Sequence, residues 1–221
     1  MLTLHHLNAS RSQRVLWLLE ELGVPYELRK YQRDAKTYLA PAELRRVHPL
    51  GKSPIITDGT RTVAESGAII EYLLDTYGAG RLRPAPGSEA HRQYTYWLHY
   101  AEGSGMPPLL LKFIFQRLPH GPVPALLRPL VRAIASGAQK SYIDPQLAMH
   151  MAFWEKSLTE QPWFAGDEFS AADIQMSFPV EAASARAGIP LGEKLQGFLT
   201  RIHARAAYQR ALSAGGPLEL P

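Results

Sequence analysis

Hydrophobic periodicity changes character once along this chain. The change falls on a glycine- and proline-rich stretch, Gly78-Ala79-Gly80-Arg81-Leu82-Arg83-Pro84-Ala85-Pro86-Gly87. Before it, strand-like and helix-like segments alternate; beyond it, helix-like segments dominate. Met1 to Leu7 alternates as a strand does. From Ser12 to Leu22 the apolar residues Val15, Leu16, Leu18, Leu19 and Leu22 recur at helical spacing, and Gly23 suits a helix C-terminus. Tyr26 to Tyr31 reads as a second strand, and Tyr38 to Val47 as a short helix with Pro41 in its first turn. Asp58-Gly59, flanked by Pro54–Thr57 and Thr62-Val63, is a hairpin signal. Ser66 to Tyr77 is helical, with Ile69, Ile70, Leu73 and Leu74 on one face. The order βαβαββα contains both a crossover and a terminal hairpin, which implies one mixed sheet covered by helices. The expectation is an α/β domain over residues 1–80 and an all-α domain over residues 88–221.

In the second region helices are expected over about Ser88–Leu118, Ala125–Thr159, Ser170–Ala187 and Gly192–Ser213. Pro107-Pro108 and Pro129 should bend or interrupt theirs.

A hydrophobic share of 46% with 20% charged residues is that of a globular chain with cores to bury. No window holds about 18 uninterrupted apolar residues, so no membrane span is expected. The start, Met1-Leu2-Thr3-Leu4-His5-His6, lacks the basic and apolar character of a secretory leader, and a cytoplasmic location is expected. The formal charge of +4 is spread along the chain, which argues against nucleic acid and is compatible with a small anionic ligand. There is no cysteine. That excludes disulfides, cysteine-ligated zinc and any protein thiolate nucleophile. If thiol chemistry takes place, the thiol arrives on a substrate.

Four motifs carry candidate chemistry. In His48-Pro49-Leu50-Gly51-Lys52-Ser53-Pro54-Ile55, a proline opens a strand although it cannot donate to a ladder. It is either an ordinary edge-strand proline or a cis proline; in the cis form Ser53 turns free backbone groups toward a cleft. Glu65-Ser66 precedes an apolar helix. Ser66 with the following N–H groups attracts a carboxylate and Glu65 attracts an ammonium, which together suit a zwitterionic head group; simple capping is the plainer reading. Asn8-Ala9-Ser10-Arg11-Ser12-Gln13-Arg14 offers hydroxyl and amide groups at a helix start, where capping again competes with ligand binding. Ser170-Ala171-Ala172-Asp173 resembles a capping box, and Ser170 and Asp173 are read as structural.

Order and spacing join these motifs. Together with Phe164-Ala165-Gly166, they resemble the cytosolic glutathione transferase family over essentially the whole chain. Within that family the chain resembles the bacterial and fungal classes with Ser-Arg-Ser-Gln-Arg in the first loop. His48 departs from the asparagine that commonly precedes the proline, and the absence of cysteine argues against classes with a catalytic cysteine.

The resemblance implies a thioredoxin-like domain followed by a helical bundle, and a homodimer in which the helix from Ser66 contacts the partner's second domain. It implies glutathione as co-substrate without other cofactor, a small hydrophobic electrophile as the second substrate, and no metal, nucleic acid or membrane partner. Ser53 and Pro54 would hold the cysteinyl part, Glu65 and Ser66 the γ-glutamyl head, and Lys52 would lie near the glycyl carboxylate. The thiol would meet Ser10 or, second, Asn8; a slip of alignment would put Ala9 at the usual serine position. Tyr96, Tyr100, Met106, Phe113 and Phe115 either line the electrophile pocket or pack as ordinary core. Disulfide or peroxide reduction remains the alternative activity, and a non-enzymatic binding protein of the same fold the third.

Overall fold

The computed structural model describes residues 1–220. Strands β1 (Leu2–Leu7), β2 (Glu27–Tyr31), β3 (Ile55–Asp58) and β4 (Arg61–Ala64) form one sheet in the order β2-β1-β3-β4. β1 and β2 are parallel, with Leu4 opposite Leu28; β3 runs antiparallel to β1, and β4 antiparallel to β3. The crossover between the parallel pair is α1 (Ser12–Leu22), which ends where Gly23 takes a left-handed conformation, φ 65°. Gly59 turns the β3–β4 hairpin at φ 58°. The third helix, α3 (Ser66–Tyr77), buries Ile69, Ile70, Leu73 and Leu74 against α1, which is the apolar face its sequence predicts. This is the thioredoxin-like arrangement.

The expected helix at Tyr38–Val47 shrinks to one turn, α2 (Leu44–Val47). Proline disfavours a helical residue before it, and Tyr38 is left-handed at φ 62°. The Asp34 carboxylate instead caps this loop, accepting from the Lys36 and Thr37 N–H groups and the Thr37 hydroxyl.

The remainder is helical. α4 (Glu89–Tyr100) starts on Ser88, whose hydroxyl accepts from the His91 N–H. It continues through a wider π-type turn, Ala101–Gly105, into α5 (Met106–Arg117). Pro107 and Pro108 therefore interrupt nothing: they occupy the first turn of α5, where a missing N–H costs least. Pro129 likewise falls in the first turn of α6 (Arg128–Ala138). A second π-type turn, Gln139–Ile143, leads into α7 (Asp144–Glu160). α8 (Ala171–Arg186) is the central helix, buried without interruption from Ala171 to Val180 despite Pro179 inside it.

One expectation fails at the end. Gly192–Ser213 is two helices, α9 (Glu193–His203) and α10 (Ala206–Gly215), separated by Ala204 and the extended Arg205. Tertiary contacts account for the break: α10 turns back onto α1, where Arg205 meets Glu21 at 2.6 Å and Arg210 meets Glu20 at 2.7 Å. Local periodicity carries no signal of an ion pair 184 residues away.

Candidate active site

At the C-terminal end of β1 and the start of β3, a cleft of about 520 Å³ opens between the sheet domain and the helices. The loop after β1 lines it with Ala9, Ser10 and Arg11; the loop before β3 contributes His48, Leu50, Lys52, Ser53 and Pro54. Ala64, Glu65 and Ser66 close one side, and Met106, Leu110 and Phe113 of α5 form the apolar wall with Phe178 of α8. Motifs more than forty residues apart in sequence thus share one cavity.

The Ser53–Pro54 peptide is cis. The Ser53 hydroxyl donates to the His5 carbonyl at 3.1 Å, and Lys52 stands exposed beside it. Glu65 is left-handed, at φ 72° and ψ 126°, a conformation that costs a non-glycine residue of order 1–3 kcal/mol. Its side chain is exposed and makes no hydrogen bond or ion pair among the described residues. Ser66, by contrast, is buried and accepts from Arg14 Nη2 at 3.0 Å.

The first loop is arranged differently from the simplest expectation. Ser10 lies at the cleft, but its hydroxyl turns inward, 2.7 Å from the Leu7 carbonyl and 2.8 Å from Ser12 Oγ, and it accepts from the Ser12 N–H at 3.2 Å. Ser12 Oγ continues the chain to His6 Nδ1 at 2.9 Å. Burial, assisted by the charge of Lys30, pushes the His6 imidazole down to about 4, so it is neutral at pH 7; its Nε2 side faces Gly215 and bonds the backbone there, which leaves Nδ1 to accept. Asn8 is not in the cleft; it lines a neighbouring hollow, and its Oδ1 accepts from the Arg33 N–H at 2.8 Å.

Of the aromatic candidates only Phe113 reaches the cleft, together with Met106. Tyr96 and Tyr100 instead belong to a stacked cluster with Trp97 and Phe153. The Tyr100 hydroxyl is taken up by His150 and by Trp154 Nε1. Phe115, on the same helix, is half-buried against the main core. Ser170 and Asp173 sit away from the cleft and close a buried cap: Asp173 Oδ1 accepts from the Phe164 N–H and Oδ2 from the Ser170 N–H, both at 2.8 Å.

Sequence reasoning missed the charges that join the two halves. Arg14 is fully buried, donating to the Gln175 carbonyl at 2.6 Å and to Glu102 Oε1 at 2.5 Å, while Arg11 holds both Glu102 oxygens at 2.8–2.9 Å. Glu102 stands on the π-type turn between α4 and α5. The two arginines hold its carboxyl below the usual range although burial opposes this. Arg33 and Arg186 complete the cationic lining, and Arg186 lies over the Phe113 ring at 4.6 Å. Only the first-loop arginines had a signal in the sequence, as part of a motif; their partner on α4–α5 had none.

A thioredoxin-like sheet with a cis-proline loop, facing a helical domain across a polar-to-apolar cleft, defines a two-domain protein that can hold a peptide-like ligand beside an apolar one. The comparisons give that class its family. Residues 10–76 match the glutathione S-transferase N-terminal domain and residues 123–206 the glutathione S-transferase C-terminal domain. The chain is 38% identical to glutathione S-transferase 3 of Schizosaccharomyces pombe, over 83% of this chain and 74% of that one. It is 33% identical to glutathione S-transferase 1 of Saccharomyces cerevisiae, over 84% and 82%. A glutathione S-transferase crystal structure from Actinobacillus pleuropneumoniae superposes with a TM-score of 0.84 at 33% identity, covering 99% of this chain and 95% of that one. The chain belongs to the glutathione S-transferase family. Among the described residues there is no group of three His, Asp or Glu side chains that could hold a metal ion, and no helix long and apolar enough to cross a membrane.

Proposed function

We propose that this enzyme binds glutathione along the cis-proline side of the cleft and transfers its thiolate to a hydrophobic electrophile seated against Met106, Leu110 and Phe113. The observation that carries the reading is the charge layout of the cleft. Four cations line it, Arg11, Arg33, Lys52 and Arg186, against Glu65 and Glu102, and Glu102 is already spent on Arg11 and Arg14. That leaves one unengaged carboxylate, Glu65, for an ammonium, beside the α3 N-terminus for the α-carboxylate. Lys52 stands where a glycyl carboxylate would reach. A ligand with one ammonium, two carboxylates and a thiol matches this set; a neutral ligand does not.

Ser10 is the thiol-contacting residue in this reading. Asn8 is second, since its amide oxygen is engaged by Arg33 outside the cleft. A thiol with a pKa of about 8.5 is only about 3% ionised at pH 7, so even a modest donated hydrogen bond raises the reactive fraction. Lowered nucleophilicity offsets much of that gain, and the larger acceleration comes from holding thiolate and electrophile together. Transferase activity in the named relatives supports conjugation over the reductase alternative, and the complete set of polar groups supports catalysis over a binding role. A homodimer belongs to the same reading: Tyr96, Met149 and Phe153 leave an exposed apolar face on α4 and α7 for a second copy.

The test is ultraviolet titration of the bound thiolate. Ser10→Ala should raise the pKa of bound glutathione with little change in its dissociation constant. A shift in Asn8→Ala with none in Ser10→Ala would move the role to Asn8, and no shift in either would remove the first loop from the mechanism.

A further inference from the structure

The apolar wall of the cleft ends in a cluster of arginines. Met106, Leu110, Phe113 and Arg117 follow one another at helical spacing along α5, so they share one face of that helix. The first three line the cleft, and the Arg117 guanidinium closes the row, 5.2 Å from the Phe113 ring centre and 5.3 Å from that of Tyr38. Arg186 of α8 lies over the same Phe113 ring, and Arg33 lies over Tyr38 at 5.0 Å. Three guanidiniums thus gather on two aromatic rings at one end of the apolar seat. Acids are scarce there. Among the described residues the cleft lining holds two, Glu65 at the start of α3 and Glu102, and Glu102 is held by Arg11 and Arg14; α5 has none. Arg33 spends its N–H groups on the Asn8 and Tyr38 carbonyls, and Arg117 makes no side-chain hydrogen bond or ion pair among the described residues. Burial, and then the charges of Arg11 and Arg33, lower the pKa of Arg186 against an opposing pull from Tyr38; burial and Arg11 act on Arg33 in the same way. Like charges crowded into a half-buried place repel one another, and a bound anion relieves that cost.

We propose that the second substrate is an aromatic electrophile carrying an anionic group, its apolar body along Met106, Leu110 and Phe113 and its anion at Arg117, in the field of Arg33 and Arg186. The inference rests on the transferase reading above and narrows its hydrophobic electrophile to one chemical class. A guanidinium stacked on a ring uses its face and keeps its N–H edge, which can meet a carboxylate with two parallel bonds. Glutathione does not claim this end of the cleft. In that reading its carboxylates go to Lys52 and to the α3 N-terminus, both in the sheet domain, whereas Arg117 and Arg186 belong to the helices opposite. A neutral apolar substrate would use the seat and leave the arginine cluster without a role.

A matched pair of substrates tests it: 4-chloro-3-nitrobenzoate and its neutral methyl ester. In both, the glutathione thiolate bonds the chlorine-bearing ring carbon and chloride leaves with the bonding pair, so the two differ in the charge at the far end. Each kcat/KM is divided by the rate of the uncatalysed reaction with glutathione, which removes their difference in intrinsic reactivity. The wild-type chain should then prefer the benzoate on the order of tenfold, as a charge-assisted hydrogen bond would give, and less so as salt is raised. Arg117→Gln should cut the preference about threefold, the worth of one solvent-facing pair. Arg117→Lys should keep most of it, and Arg117→Glu should erase or reverse it. Each preference is a ratio within one protein, so any loss of folded enzyme cancels. Equal use of the two substrates, or a preference that Arg117→Glu leaves unmoved, overturns the inference and leaves the transferase reading standing. A raised KM for glutathione in Arg117→Gln with the preference unchanged would give the arginine to glutathione instead. Turnover of neither electrophile would remove the transferase reading, and the inference with it.

Discussion

Asp173 gives the sharpest quantitative expectation, because two effects on it oppose each other. Its carboxyl is wholly buried and accepts the Phe164 and Ser170 N–H groups, which favours the charged form. Burial favours the neutral form and wins, raising the group to about 6. The unfolded value is about 3.9. Folding therefore takes up a proton between pH 4 and 6, so this contribution to stability is fully present below the unfolded value and is lost as pH rises through the folded one. Integrated from pH 7 down to pH 5, the gain is about 1.3 kcal/mol. Asp173→Asn keeps the shape, cannot titrate, and pays a roughly pH-independent cost for turning an amide toward one of the N–H groups. All other titrations are shared and cancel in the difference between the two proteins. Urea unfolding of both at pH 7 and pH 5 should show the wild-type advantage growing by about 1.3 kcal/mol at the lower pH. A constant difference, or one that shrinks, would mean that the hydrogen bonds outweigh burial and that the cap holds a carboxylate throughout.

Glu102→Gln should destabilise the protein by about 3 kcal/mol in denaturant unfolding, because it strands the Arg14 guanidinium in the interior; Glu102 is itself 32% exposed, which puts the cost at the low end for a broken buried pair. An unchanged midpoint would show that the Gln175 carbonyl and Ser66 suffice for Arg14. Glu65→Ala should raise the KM for glutathione far more than it changes kcat at saturation; a collapse of kcat at unchanged KM would give Glu65 a chemical role instead. Glu65→Gly should raise KM too, while gaining about 1 kcal/mol of stability by relieving the positive φ; a stability loss would show that φ 72° is not strained there.

The fold was legible wherever local chemistry decides it. Gly23, Gly59 and the Ser170 cap end or start elements through their own conformational preferences, and the helical spacing in Ser12–Leu22 and Ser66–Tyr77 follows from one-sided burial. The sequence failed where distant contacts decide: the break before α10 depends on Glu20 and Glu21, and Pro107-Pro108 proved compatible with a continuous helix because a π-type turn precedes it. In the site, the cis-proline loop, Glu65-Ser66 and Ser10 converge on one cleft with Met106 and Phe113. Tyr96 and Tyr100 do not, since on a helix of mixed burial nothing in the spacing separates a cavity wall from an aromatic cluster elsewhere on the helix. Glu102 was invisible for a related reason: a single acid on a helical turn reveals neither its burial nor the two arginines that meet it.

The inward-facing hydroxyl of Ser10 sets a ceiling on how far this loop can acidify a thiol. To donate to sulfur, Ser10 must release the Leu7 carbonyl at 2.7 Å, so the sulfur gains one hydrogen bond while the backbone loses another. Ser12 Oγ lies 3.2 Å from the same carbonyl and can take over, but only by leaving His6, whose Nδ1 then goes without a donor. Each move passes the vacancy one position inward, and it comes to rest on the His6 imidazole, which is only 4% exposed. A thiolate held by Ser10 would thus receive the difference between two hydrogen bonds, a fraction of one, and the loop would trade acidifying power for a rigid seat.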